Sequence, residues 1–175
     1  GMPIRSISPD GTVRELKRFL NGTPMYNKTD NVTSSKTIST DKVYPGGVAG
    51  YSLTGSGVVL GEWDAGGVRT THQEFGGRVL NSQGTNNFHS THVAGTMIAA
   101  GVSPAARGMS YGAQLRAFDW NSDIAEMASE AAAGLRTSNH SYGLITGWHY
   151  DYFNDNRWAW LPNTSAKRVP NRSAA

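Results

Sequence analysis

Asn87-Phe88-His89-Ser90-Thr91-His92-Val93-Ala94-Gly95-Thr96-Met97-Ile98 is the stretch on which the fold turns. Val93 and Met97, like Ala94 and Ile98, stand four apart, the spacing that lays an apolar stripe along one side of a helix. Asn87 occupies the N-cap position, where a side-chain oxygen accepts from the free backbone N–H groups of the first turn. His89 then falls in that first turn, with its imidazole at the mouth of the helix and near solvent. A histidine so placed suits proton transfer near neutral pH. An ordinary core helix with a surface histidine would read the same locally, so its neighbours in the chain have to decide.

Upstream, Val58-Val59-Leu60 between glycines reads as a buried strand of a parallel sheet covered on both faces. The strand ends in Asp64, with Gly66 and Gly67 just beyond. Ligands and chemistry collect at the carboxyl ends of such strands; an aspartate that merely turns the chain is the plain alternative. Downstream come a short strand at Arg78-Val79-Leu80 and another from Gln114 to Trp120. Asp123 and Glu126 have capping-box spacing ahead of an alanine-rich helix, Ile124 to Ala133. Thr137 to Gly143 reads as a last short strand. The order strand, strand, helix, strand, helix, strand predicts an α/β domain with a mostly parallel sheet and right-handed crossovers.

At 175 residues the chain is long enough for one domain with a true core. Hydrophobic residues make up 38% and there are 21 glycines, which points to a loop-rich protein. With no cysteine, disulfides, thiolate metal sites and cysteine nucleophiles are excluded. No apolar run reaches the length of a membrane span and none reads as a signal peptide. The net charge of +3 sits at the ends: Lys167, Arg168 and Arg172 lie in residues 161–175 without an acid. Basic residues that form no stripe with interleaved aromatics argue for solvated tails rather than nucleic-acid binding. The expected organisation is an N-terminal extension, pro-region remnant or linker over 1–45, a folded domain over 46–160 and a basic tail over 161–175. Within the extension, Asn21 to Thr40 has linker composition. The aromatic run from Trp148 to Trp160 is expected to pack against structure the chain does not contain, part of it folding back as cover.

Three segments, in this order, resemble the subtilisin-like serine peptidases, whose chain order is Asp, His, Ser. Thr54 to Gly66 resembles the strand and D-x-G turn of that family, and His72-Gln73-Glu74-Phe75 its usual sequel. His89-Ser90-Thr91-His92-Val93-Ala94-Gly95-Thr96 is similar to H-G-T-H-V-A-G-T, with Ser90 in place of glycine. Ser138-Asn139-His140-Ser141-Tyr142-Gly143 is similar to the S-x-G strand that pairs with bound substrate. The resemblance covers roughly residues 40–147. It implies a partial subtilisin-like three-layer α/β domain, the amino-terminal half of a catalytic domain. It also implies His89 as general base, Asp64 as the group that orients it, and Ser141, Tyr142 and Gly143 as backbone partners of an extended peptide. His92 is expected to pack and hydrogen-bond rather than act as a second base.

The nucleophile is not assigned. Serine follows histidine by roughly 150 residues in that family, and only 86 residues follow His89 here. Asn163-Thr164-Ser165-Ala166 lacks the glycine and the apolar helix of G-T-S-M-A, and Asn154 and Asn156 are poor substitutes for the oxyanion asparagine. The expectation is a serine endopeptidase present as a fragment that is inactive alone. A non-catalytic relative that binds peptide is the alternative. A metal-dependent hydrolase built on His89, His92 and Asp64 is disfavoured, because H-x-x-H lacks the glutamate and the i, i+4 spacing of H-E-x-x-H. No cofactor is expected; the family often carries calcium, but no ligand run is recognisable. Partners follow: a polypeptide substrate, no nucleic acid, no membrane, and self-association through an exposed sheet edge. Localisation follows too: secretion of a full-length precursor.

Overall fold

The computed structural model of the chain describes residues 4–7, 13–20, 23–28, 31–143, 147–151, 153 and 155–161. The chain divides into two compact units, residues 1–141 and 142–175. The first opens with strands β1 (Arg5–Ile7), β2 (Val13–Leu20) and β3 (Thr23–Lys28), an antiparallel sheet in that order. Helix α1 (Asn31–Thr37) follows. The stretch 21–40, a linker by composition, thus contains a strand and a helix. Pairing is the reason: Leu20 stands opposite Thr23 and Leu16 opposite Tyr26, so a long neighbouring strand supplies hydrogen bonds that composition does not reveal.

Next come β4 (Val59–Asp64), β5 (Val79–Ser82), α2 (Phe88–Ile98), β6 (Gln114–Asp119), α3 (Asp123–Ala132) and β7 (Ser138–His140). The four strands form one sheet in the order β5-β6-β4-β7, and every pairing in it is parallel. This is the α/β architecture with a mostly parallel sheet that the sequence order predicts. Alternation along β4 then sorts its side chains. Glu62 stands opposite Ala117 on β6 and Asn139 on β7, with Asp64 opposite Asp119. Helix α2 packs on this side: Ala94 and Ile98 join Val68, Phe75, Leu115 and Ala117 in the main core. Burying an Ile or Leu side chain fully contributes roughly 1.5–3 kcal/mol. The buried line of α2 runs Ser90, Ala94, Ile98, so the stripe read from the sequence begins one turn earlier, on a serine.

Trp63 takes the other face. Its ring stacks on Phe118 at 4.7 Å and on His140 at 5.4 Å, and its Nε1 donates to Glu126 Oε2 at 3.0 Å. That bond corrects the capping box. Ser122 is the residue at the α3 N-cap, in a left-handed conformation with no side-chain cap bond. Glu126 is instead held outward by Trp63 and by Gln83 Nε2 at 2.7 Å. One indole donor from β4 and one amide donor from the residue after β5 take its two oxygens, so neither turns back to a backbone N–H. Strand β7 stops at His140 rather than Gly143.

In the second unit β8 (Gly147–Tyr150) and β9 (Trp158–Leu161) form an antiparallel hairpin. Trp148 faces Trp160 and Tyr150 faces Trp158, both edge to face with ring centroids 5.6 Å apart. Within the aromatic run, expected to pack against structure the chain does not contain, these cross-strand pairs contribute roughly 0.2–1 kcal/mol each. The rings keep one side open, Trp148 at 59% and Trp158 at 57% exposure. Residues 162–175, including Ser165 and the basic tail, lie outside the described residues. Among the described residues no helix is long and apolar enough to cross a membrane.

Candidate active site

Asp64 closes β4 and is 1% exposed. The turn after it, Ala65-Gly66-Gly67, lies directly against the loop that leads into α2. Gly67 N–H donates to Thr85 O at 2.8 Å, and Asn87 N–H donates to Gly67 O at 2.7 Å. A Cβ on Gly66 would meet Thr85 O at 2.8 Å, and one on Gly67 would meet Gly84 O at 2.7 Å. Glycine is required because two backbones touch there, and that contact fixes the start of the helix relative to the strand end. Ser82 Oγ adds a tie, accepting from Val68 N–H at 2.7 Å and donating to Val68 O at 3.0 Å.

The helix itself begins as its sequence predicts. Asn87 Oδ1 accepts from the N–H groups of His89 at 2.8 Å and Ser90 at 3.3 Å. Such a cap contributes about 1 kcal/mol, and here it also sets the direction in which His89 leaves the helix. His89 Nδ1 lies 2.8 Å from Asp64 Oδ1. A carboxylate can only accept, so the shared proton sits on Nδ1 and Nε2 is left as the basic nitrogen. The imidazole is 48% exposed over a carboxylate that is 1% exposed, so one end of the pair meets solvent and the other is dry.

Asp64 Oδ1 takes two further donors: Ala65 N–H at 2.6 Å and Ser90 Oγ at 3.3 Å. Ser90 is fully buried. Ser90 thus fits the space beside Asp64 and hydrogen-bonds inside it. Beside this lies a group that sequence reading passed over. Glu62, also 1% exposed, shares the Asp64 face of β4, and neither of its carboxyl oxygens has a partner among the described residues. Burial, and then the Asp64 charge, pushes its carboxyl up to about 8. The signal was present: an acid two places before Asp64 inside an apolar strand must point the same way as Asp64.

The remaining site candidates are placed less closely. Ser141 Oγ accepts from Asn139 Nδ2 at 2.8 Å and closes the first unit; Tyr142 and Gly143 belong to the second. His92, expected to be packed, is an exposed side chain, and a cleft of about 780 Å³ beside α2 is lined by it together with Arg69, His72, Asn87 and Phe88. Neither Asp64 nor His89 lines that cleft. Among the described residues no three His, Asp or Glu side chains converge as a metal ion needs. No hydrogen bond joins His89 Nε2 to a serine among the described residues. No family model, curated protein or solved structure matches the chain. Assignment of the site therefore rests on its geometry and on the residues themselves.

Proposed function

We propose that Asp64 and His89 are the acid–base pair of a subtilisin-like serine endopeptidase, the fold being the amino-terminal half of a subtilisin-like three-layer domain. The observation that carries this reading is the 2.8 Å contact between Asp64 Oδ1 and His89 Nδ1, formed by a strand end and a helix start 25 residues apart. In such a site the imidazole takes the proton of a serine hydroxyl as it attacks the scissile carbonyl, and returns it to the leaving amine. Asp64 keeps Nδ1 protonated and stabilises the imidazolium. Ser141, Tyr142 and Gly143 offer backbone groups to an extended polypeptide substrate. The nucleophile and the oxyanion donors would come from sequence other than these 175 residues, Ser165 not being taken as the nucleophile.

The test has two arms. The chain as it stands is expected to hydrolyse peptides no faster than background and to take no fluorophosphonate label. A product carrying the reading frame beyond Ala175 is expected to be labelled at one serine and to lose labelling in His89→Ala. Labelling of Ser165 in the present chain, or labelling of the longer product that survives His89→Ala, would overturn the proposal. Peptide affinity without turnover in the longer product would favour a non-catalytic relative.

A further inference from the structure

We infer that Glu62 is a positioning residue of the Asp64–His89 pair, its neutral carboxyl sharing a proton with Asp64 Oδ2 so that a single negative charge stands behind the imidazole. The inference deepens the acid–base reading of that pair and rests on it. Three facts carry it. Glu62 and Asp64 alternate onto one face of β4, both 1% exposed. Asp64 Oδ1 is occupied by Ala65 N–H, His89 Nδ1 and Ser90 Oγ. The oxygens left over on that face, Asp64 Oδ2 and both of Glu62, are buried without partners among the described residues.

Buried polar atoms in native proteins find partners, and a carboxyl buried on the same dry face as a carboxylate keeps its proton. A neutral carboxyl has one O–H to donate and an ionised one has none. Asp64, already fed by three donors, is the better place for the charge, and Glu62 is the better place for the proton. The surroundings agree. Across from Glu62 stand Ala117 on β6 and Asn139 on β7, both uncharged. The titratable groups on elements packed against β4 are Asp119 and Arg116 on β6, His140 on β7, and His89 and His92 on α2. Arg116 is engaged by Glu130 of α3 at 3.0 Å, and His140 stacks on Trp63 on the opposite face. Asp64 is the charge that acts on Glu62, and no cation is there to draw the proton off.

A fixed proton at Oδ2 would keep the Asp64 carboxylate from rotating, which holds Oδ1 toward Nδ1. It would also make the charge behind His89 change once more at alkaline pH, when Glu62 ionises.

The experiment is a carbon-13 carboxyl and imidazole NMR titration of the whole chain from pH 5 to pH 10. One glutamate resonance is expected to titrate near pH 8, to be absent from Glu62→Gln, and to have a matching step in the His89 ring signals. Glu62→Gln keeps an N–H donor for Oδ2, so its His89 Nδ1–H resonance is expected to stay in place while the alkaline step vanishes. Glu62→Leu removes the donor and is expected to shift that resonance. The inference fails if the Glu62 carboxyl titrates with the exposed glutamates, or if the His89 signals ignore both substitutions. Should Glu62→Leu not fold, the parent titration and Glu62→Gln decide. A longer chain that takes no fluorophosphonate would sink the peptidase reading and leave these spectra unchanged. Spectra without the step would sink the role of Glu62 and leave the labelling unchanged.

Discussion

At the scale of single residues, the site sets one well-supplied carboxylate beside one that has nothing. Asp64 and His89 were legible because each marks an element boundary: an acid where a β-run meets glycines, a histidine two places after an asparagine cap. Glu62 carried a signal too, two places before Asp64 in a strand read as covered on both faces, but an acid inside a strand marks no element boundary and was passed over. Its burial has a thermodynamic consequence. The folded carboxyl is raised from an ordinary value of 4.5 to about 8, so between these values the native state holds a proton that the unfolded chain has released. Stability from this group is complete below about pH 4.5 and is lost as pH rises toward 8. Denaturant unfolding of the parent chain is therefore expected to weaken by a few kcal/mol, in order of magnitude, from pH 5 to pH 8. Glu62→Gln should flatten that slope. An equal slope in both proteins would show that the carboxyl is ionised when folded.

At the scale of elements, the pieces that sequence read well are those whose cause is local. Helix α2 starts where Asn87 can cap it, and β4 and β6 lie where apolar runs are bounded by turns. The misread pieces owe their form to distant partners. Glu126 has the spacing of a capping residue, yet a tryptophan 63 positions away takes its oxygen. Thr23–Lys28 looks like linker until β2 is laid beside it. Glu74 is a third case of reach across the chain. Its carboxylate accepts from the N–H groups of Gly101 at 2.7 Å, Val102 at 2.9 Å and Ser103 at 2.8 Å, clasping the loop that follows α2. Burial alone would raise this carboxyl, but the bonds from Ser103, Gly101 and Val102, helped by His72, leave it lowered. The stability it gives is thus present above its unfolded value and lost as pH falls through the lower folded one. Glu74→Gln leaves at least one of the three N–H groups without its acceptor. A loss of about 1–3 kcal/mol is expected, with hydrogen exchange at residues 101–103 accelerated while β4 and β6 stay protected. Unchanged exchange there would mean that the loop is held by its own turn.

At the scale of the whole molecule, the sheet of the first unit is short on one side. Strand β7 pairs with β4 and has no second neighbour among the described residues. Its side chains do little to discourage a partner: Ser138 and His140 are exposed and neither is a lysine, proline or acid. Natural sheets blunt such edges with charge, proline or a covering loop, and an unblunted one recruits another strand. Among the described residues β7 therefore ends the sheet with an edge of the kind that pairs with a second copy of the chain. Concentration-dependent self-association is the expected outcome, seen as a rise in weight-average mass by sedimentation equilibrium across a hundredfold dilution series. His140→Lys would place a charge on the edge but remove the ring stacked on Trp63, and Ser138→Lys would place one there while keeping that ring, at the cost of the 2.9 Å contact between Ser138 Oγ and His140 Nε2. Both are expected to weaken association, and a saturating excess of an extended peptide should do the same by occupying the strand. If the mass stays monomeric throughout, or if the lysine variants associate as the parent does, then the open edge of β7 is not where copies of this chain meet.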